Sequence, residues 1–203
     1  PRAKAIFLKV HRASTQEVLY DLPRDLNALS PDELIQAVQD AGLVGLGGAA
    51  FPSHVKMKPP AGHPIATLVV NGCECEPYLT CDHRLMLERP DSIMAGIRIA
   101  LQATGATRAV IGVEDNKPDA VARLRERIPA DLPVTVEAVE TKYPQGAEKM
   151  LIKSLFNREV PVGGLTLDLG IAGKSVGSEQ IVLPLNAPTW SLTKLSAPFT
   201  CRV

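Results

Sequence analysis

The sequence predicts an α/β fold built on a mainly parallel sheet, and three observations carry that prediction. Short strand-like runs recur at residues 65–70, 108–113 and 133–139, the first of them continuously apolar; such a run suits a strand covered on both faces. Between the runs stand segments with apolar residues at helical spacing. Proline and glycine, 17 and 15 in 203 residues, punctuate the joins. Strands separated by helices of this length imply right-handed crossovers and parallel neighbours.

Residues 1–29 carry one apolar patch, at 5–10, then polar sequence, and are expected to be the tail of a preceding element. The first firm helix signal is Ser30-Pro31-Asp32-Glu33. Ser30 can accept from first-turn amides, Pro31 suits the first helical position, and Glu33 completes a capping box. Leu34, Ile35, Val38 and Leu43 follow at roughly helical spacing, and Gly42 offers a stop. The strand at 65–70 leads into a helical region broken at Pro90, with Ile93, Ile97, Ala100 and Leu101 on one side. Within it Asp82 is a plausible cap. The strand at 108–113 leads into a helix over 118–128, striped by Val121, Leu124 and Ile128; Asp115 and Asn116 most simply end the strand and cap that helix. A third strand at 133–139 precedes a helix over 146–156, which uses Met150, Ile152 and Leu155. Beyond Gly164 the pattern fades. Residues 179–203, with three prolines, Trp190 and a strand-like 181–183, read as a β-like extension or a partial second domain. The α/β domain is therefore expected over 30–178.

Twenty-two basic and 22 acidic side chains give a formal charge of zero. That argues against general nucleic-acid binding, which relies on excess Lys and Arg facing phosphates. At 45% hydrophobic and 22% charged residues the chain is ordinary globular material. No apolar run approaches the ~18 residues of a membrane span, and no signal-peptide pattern opens the chain. Four cysteines, Cys73, Cys75, Cys81 and Cys201, are too few and too clustered for a secreted disulfide framework, so the expected compartment is the cytoplasm. The first three form C-x-C-x₅-C, which matches neither ferredoxin-cluster nor structural-zinc spacing. Free thiols are the better reading, and no metal ligand is assigned. No Ser-His-Asp or paired-carboxylate arrangement supports hydrolysis.

The most informative stretch is glycine-rich, residues 42–56. Gly45, Gly47 and Gly48 let backbone amides approach a ligand without a Cβ in the way. Before a turn or helix start such amides can cradle phosphate oxygens, with Lys56 and Lys58 downstream as cations. The loop follows a helix rather than a strand and lacks a GK[ST] ending, so it is neither a Rossmann fingerprint nor a P-loop. Taken alone it either binds phosphate or simply turns a corner. Two other segments sharpen it: 70–78 at the end of the first strand and 141–149 after the third. Open α/β sheets bind ligands at the carboxyl ends of their strands, so these segments are expected to converge on one edge.

The strings GLGGAAFPSHVKMKPP, NGCECEPYLTCDHRLM, GVEDNKPDA, TKYPQGAEK and VPVGG stand in this order across residues 40–164. Together they resemble the subunit designated C in the Rnf electron-transport complex. The same core is similar to the flavin- and NADH-binding subunit of respiratory complex I and to a cobalamin reductase. The resemblance implies a Rossmann-like α/β domain that holds FMN and exchanges hydride with NAD(H). It implies FMN-side positions at Gly45, Gly47, Lys56, Asn71, Cys73, Glu74, Tyr143 and Gly146. NAD-side positions fall on Gly48, Ala49, Phe51, Glu76 and Glu148. No side chain is assigned to hydride chemistry itself, which belongs to the flavin. Cys73 stands where complex I relatives carry Asp. The segment 169–178 departs further: Ser175 replaces an Asn expected to approach the flavin phosphate.

What the family does sets the remaining expectations. They are an electron-transfer subunit between NAD(H) and iron–sulfur partners, inside an ion-translocating ferredoxin–NAD oxidoreductase. Its partners would be the other members of the complex and ferredoxin, with indirect attachment at the cytoplasmic side of the cell membrane. [4Fe-4S] clusters are expected in the full-length subunit, yet no ligand motif for them occurs in this chain. A cobalamin reductase and a docking scaffold with a degenerate flavin site are the alternatives, the latter motivated by Cys73 and by 169–178.

Overall fold

The computed structural model describes residues 25, 28–45, 50–58 and 62–177, together with the backbone of 17–18 and 190–191. In chain order the elements are β1 (Glu17–Val18), α1 (Pro31–Asp40), α2 (Ser53–Met57), β2 (Thr67–Gly72), α3 (Cys81–Glu88) and α4 (Pro90–Thr104). They continue with β3 (Arg108–Glu114), α5 (Pro118–Glu126), β4 (Val134–Val139), α6 (Glu148–Phe156), β5 (Ile171–Ser175) and β6 (Trp190–Ser191). β1 and β6 pair antiparallel. The strand-like 181–183 lies outside the described residues.

The centre of the fold is a four-stranded sheet in the order β4-β3-β2-β5. Every pairing in it is parallel, as the strand–helix alternation predicts. Alternate residues of β2 serve two cores, because successive side chains leave a strand on opposite faces. Leu68 and Val70 join the larger core with Leu34, Ile97, Ile111 and Leu124. Val69 joins the smaller one with Leu151, Ile152 and Ile171, beneath α6. Each such fully buried aliphatic contributes roughly 1.5–3 kcal/mol. Helix α6 lies close on the sheet because β3 carries Gly112, where a Cβ would stand 2.7 Å from a Leu151 methyl.

Local signals explain most elements. The capping box at Ser30 forms as expected: the Ser30 hydroxyl accepts from the Glu33 amide and the Glu33 carboxylate accepts from Ser30 N–H. Gly42 and Gly105 both adopt positive φ just after their helices. Pro90 splits the helical region into α3 and α4.

Four expectations are corrected. β2 begins at Thr67 rather than 65, since the amides of Ala66 and Thr67 both donate to the Gly170 carbonyl before the ladder starts. Helix α6 begins at Glu148 because Gly146 is held in the preceding turn, its carbonyl accepting from Asn71. Asp82 does not cap α3, and neither Asp115 nor Asn116 caps α5, whose cap position is Lys117. Asp115 instead accepts from the Thr141 amide and hydroxyl, tying the ends of β3 and β4 together. The fourth correction is β5 itself. The segment that departs from the family pattern is a strand paired along β2, buried over Ile171 to Lys174.

That last strand sets the topology. The chain runs from β2 outward to β3 and β4, then returns past β2 to lay down β5 on its other side. The crevice outside the carboxyl ends of β2 and β5 is therefore a topological switch point.

Candidate functional site

A cleft of about 280 Å³ opens at that switch point, just below the ~300–1,000 Å³ usual for small-molecule sites. Asn71 and Val69 of β2 and Gly173, Lys174 and Ser175 of β5 form one side. Gly146, Ala147 and Glu148 bring in the start of α6. Gly45, Ala50, Phe51, Ser53 and Lys56 close it from the glycine segment and α2.

The glycine segment is closed at its base. Gly45 N–H donates to the Phe51 carbonyl at 2.8 Å, and Ser53 N–H donates to the Leu43 carbonyl at 2.9 Å. Ala50 sits at φ +47° where the chain turns back. Phe51 is half exposed at the mouth. Gly47, Gly48 and Ala49 lie outside the described residues.

Lys56 joins three elements. Its ammonium pairs with Glu148 at 3.4 Å and donates to the Gly173 carbonyl at 3.2 Å. Both partners of the pair remain about a third exposed, so its stabilisation is small. Glu148 also accepts from the Thr166 hydroxyl at 3.2 Å. A Cβ at 173 would stand 2.3 Å from Glu148 Oε1, so the Glu148 carboxylate holds this position only over glycine. Positions assigned to two different ligands, Lys56 and Glu148, are thus in direct contact.

Asn71 brings the two predicted segments together. Its amide donates to the Gly146 carbonyl at 2.8 Å, and its side-chain oxygen accepts from the Cys73 amide at 3.0 Å. A Cβ on Gly146 would meet the Cys73 carbonyl at 3.2 Å, so a larger residue there would have to push the two segments apart by a few tenths of an ångström.

The remaining predicted positions stand apart from the cleft lining. Cys73 is buried in the smaller core, its thiol toward the Gly112 carbonyl, and burial pushes that thiol up to about 12. The carboxylate of Glu74 is spent elsewhere. It accepts from the Cys81 thiol at 3.1 Å and from the amides of Asp82 and His83 at 2.9 and 3.2 Å, so Glu74 caps α3. Burial, with the carboxylates of Glu74 and Glu76 adding, raises Asp82 to about 6. Glu76 and Tyr143 are exposed on segments adjoining the cleft.

Lys174, Ser175, Gly173 and Ser53 line the cleft without having been assigned to it. For the three β5 residues the signal was position at a strand's carboxyl end, which is legible only once β5 is known to lie beside β2; Ser53, at the start of α2, carries no such signal. Among the described residues no cluster of three His, Cys, Asp or Glu could hold a metal, and no helix is long and apolar enough to cross a membrane.

Comparison with known proteins gives the family and the fold. A family model described as the Nuo51 FMN-binding domain matches residues 38–190. The subunit designated C in the proton-translocating ferredoxin:NAD(+) oxidoreductase complex of Clostridium ljungdahlii is 45% identical over 155 residues, 76% of this chain and 34% of that protein. Its counterpart in the Na(+)-translocating complex of Acetobacterium woodii is 44% identical over 153 residues, 75% of this chain and 34% of its own length. The chain thus spans about a third of the length of these curated relatives. Among solved structures, an NAD+-reducing [NiFe]-hydrogenase in the H2-reduced state superposes with a TM-score of 0.65 at 25% identity. It covers 83% of this chain, which corresponds to 34% of the hydrogenase chain.

Proposed function

The chain belongs to the Nuo51 FMN-binding domain family, and from that premise we propose that it is the FMN- and NAD(H)-binding module of an ion-translocating ferredoxin–NAD oxidoreductase. The observation that carries the proposal is the cleft at the β2–β5 switch point, where β5 meets three of the segments that carry the family motifs.

The residues fit a flavin nucleotide. Gly146 and Gly173 let the start of α6 close the base of the cleft, with the Glu148 carboxylate over Gly173 and the Cys73–Cys75 segment against Gly146. The donor set beside Gly173, the Lys56 ammonium with the Ser53 hydroxyl, suits a phosphate. FMN, when bound, links two-electron exchange with a nicotinamide to one-electron exchange with iron–sulfur centres.

The protein's part is positioning. Lys56 supplies a cation that a phosphate shares with Glu148. Asn71 holds the Gly146 turn against the end of β2, fixing the floor of the cleft. Glu148, seated on Gly173 and hydrogen-bonded by Thr166, presents a carboxylate beside it to orient a second nucleotide. Phe51 offers an aromatic face at the mouth, and the exposed Glu76 offers an acceptor for nicotinamide-nucleotide hydroxyl or amide groups. Gly47, Gly48 and Ala49 would contribute backbone amides on this reading, whereas the Gly45 amide is engaged by the Phe51 carbonyl and holds the base of the loop.

The whole protein would exchange electrons with ferredoxin through clusters held outside this segment. It would meet the membrane through partner subunits at the cytoplasmic face. The test is the full-length protein purified with and without added FMN. Noncovalent flavin reducible by NADH is expected, and Lys56→Ala should raise the FMN dissociation constant by about tenfold, the scale of one lost charge-assisted hydrogen bond. A protein that takes up no flavin even at excess FMN, yet still assembles with the rest of the complex, is a docking scaffold and overturns the proposal.

A further inference from the structure

At the carboxyl end of β3, beside the Cys73–Glu76 segment and outside the cleft lining, two charged side chains are buried together. Glu114 is 1% exposed and Lys117 8%. They form an ion pair through Glu114 Oε2. The same oxygen accepts from the Glu74 amide at 3.2 Å, while the Lys117 ammonium donates to the Glu74 carbonyl at 3.5 Å and to Asn116 Oδ1 at 3.1 Å. Both backbone polar groups of Glu74 are therefore held by side chains from β3 and its following turn. The Glu74 carboxylate in turn caps α3. One residue joins the ends of two strands to the start of a helix.

The arrangement is costly for a purely structural one. Glu114 Oε1 is buried without a hydrogen-bond partner among the described residues. Replacing a buried ion pair with apolar side chains of similar volume is often neutral or stabilising. A carboxylate kept here against that gradient calls for a use, and the use its contacts show is to hold Glu74.

We propose that Glu114 and Lys117 are positioning residues that fix the 73–76 segment at the end of β2, and through it the affinity for the nicotinamide nucleotide. Neither side chain lines the cleft. They act through the backbone of Glu74, whose near neighbours are Cys73, bonded to Asn71, and Glu76. The proposal rests on the assignment of Glu76 to the nucleotide, so the experiment separates the two.

The full-length protein is made as E114L/K117M, which removes both charges and the acceptor, and as E114Q/K117M, which removes both charges but keeps an acceptor for the Glu74 amide. Amide hydrogen exchange over residues 73–76 is read in flavin-free protein, and NADH affinity by titration of flavin-loaded protein. E114L/K117M should keep a thermal midpoint near wild type, exchange the Glu74 amide at least about tenfold faster, and bind NADH about tenfold more weakly, because small displacements of a binding group are amplified at the site. E114Q/K117M should recover most of both effects, with FMN retained throughout. Wild-type exchange in folded E114L/K117M overturns the proposal, as does faster exchange with unchanged NADH affinity. Equal losses in both variants, tracking a fall in thermal midpoint, also overturn it and mark the pair as structural only. If E114L/K117M does not fold, K117M alone must speed exchange at 74–76 at least about threefold, and no change there overturns the proposal. A wild-type protein that binds no NADH refutes the functional reading instead, and the exchange comparison then decides whether the pair positions the segment.

Discussion

Asp82 shows how the surroundings of a single residue set its charge. The local pattern suggests a helix cap, yet the cap is Glu74, eight positions earlier in the chain. Asp82 is left half-buried beside the carboxylates of Glu74 and Glu76, with Lys117 only partly offsetting them, and burial first of all raises it from 3.8 to about 6. A carboxyl whose folded pKa is raised contributes stability that is fully present below its unfolded value and lost as pH rises through the folded one. The contribution is therefore intact below about pH 4 and gone above about pH 6. Asp82→Asn keeps the backbone amide that Glu74 accepts from and removes the titration. Thermal unfolding of wild type and variant should nearly coincide at about pH 4, with the variant gaining between about pH 4 and 6 and holding a constant lead above. A lead that shrinks with rising pH would show the sign to be wrong.

At the scale of elements, α6 covers its face of the sheet with a small core. Leu151, 1% exposed, fits against Gly112 of β3 and also lines the cleft. Its truncation removes contacts from a cluster with few members to close the gap. Leu151→Ala should cost about 2–4 kcal/mol, the range of buried leucine truncations. The urea midpoint should fall while the slope of the transition stays unchanged. Met150, one residue earlier and exposed, is the control, and its alanine variant should stay within about 0.5 kcal/mol of wild type. Equal costs at both positions would mean that α6 does not present this face to the sheet.

For the whole molecule the question is where one-electron carriers sit. The chain covers about a third of its curated relatives, and its three described cysteines are free thiols. Cys73 donates toward Gly112, and Cys81 donates to Glu74. The iron–sulfur clusters proposed for the full-length protein are therefore expected outside residues 62–177. Serine at Cys73, Cys75 and Cys81 together should leave the ratio of iron to protein unchanged in the full-length protein. A loss of iron would place a cluster ligand in this loop.

The sequence by itself determined the local structure. Ser30 to Glu33 names a helix start because its caps are satisfied within one turn. β2 and β3 are legible because both of their faces are covered and their composition says so, and β4 because buried Val134 and Val136 alternate with exposed Thr135 and Glu137. The glycines at 45 and 146, Asn71 and Lys56 were identifiable from motif strings. What those strings could not contain is which segments meet. Lys56 and Glu148 lie 92 positions apart and touch only because α2 and the start of α6 are brought to one crevice. Glu74 reads as a ligand residue until α3 is seen to start on its carboxylate. β5 was invisible because a strand carrying Gly173 and Lys174 has no apolar period of its own. It is held by its ladder to β2, and only that pairing puts Gly173 beneath Glu148 and creates the switch point where the cleft forms. Periodicity and capping are settled within a few residues of chain, whereas strand order is settled by burial across the whole sheet, and the site belongs to the second.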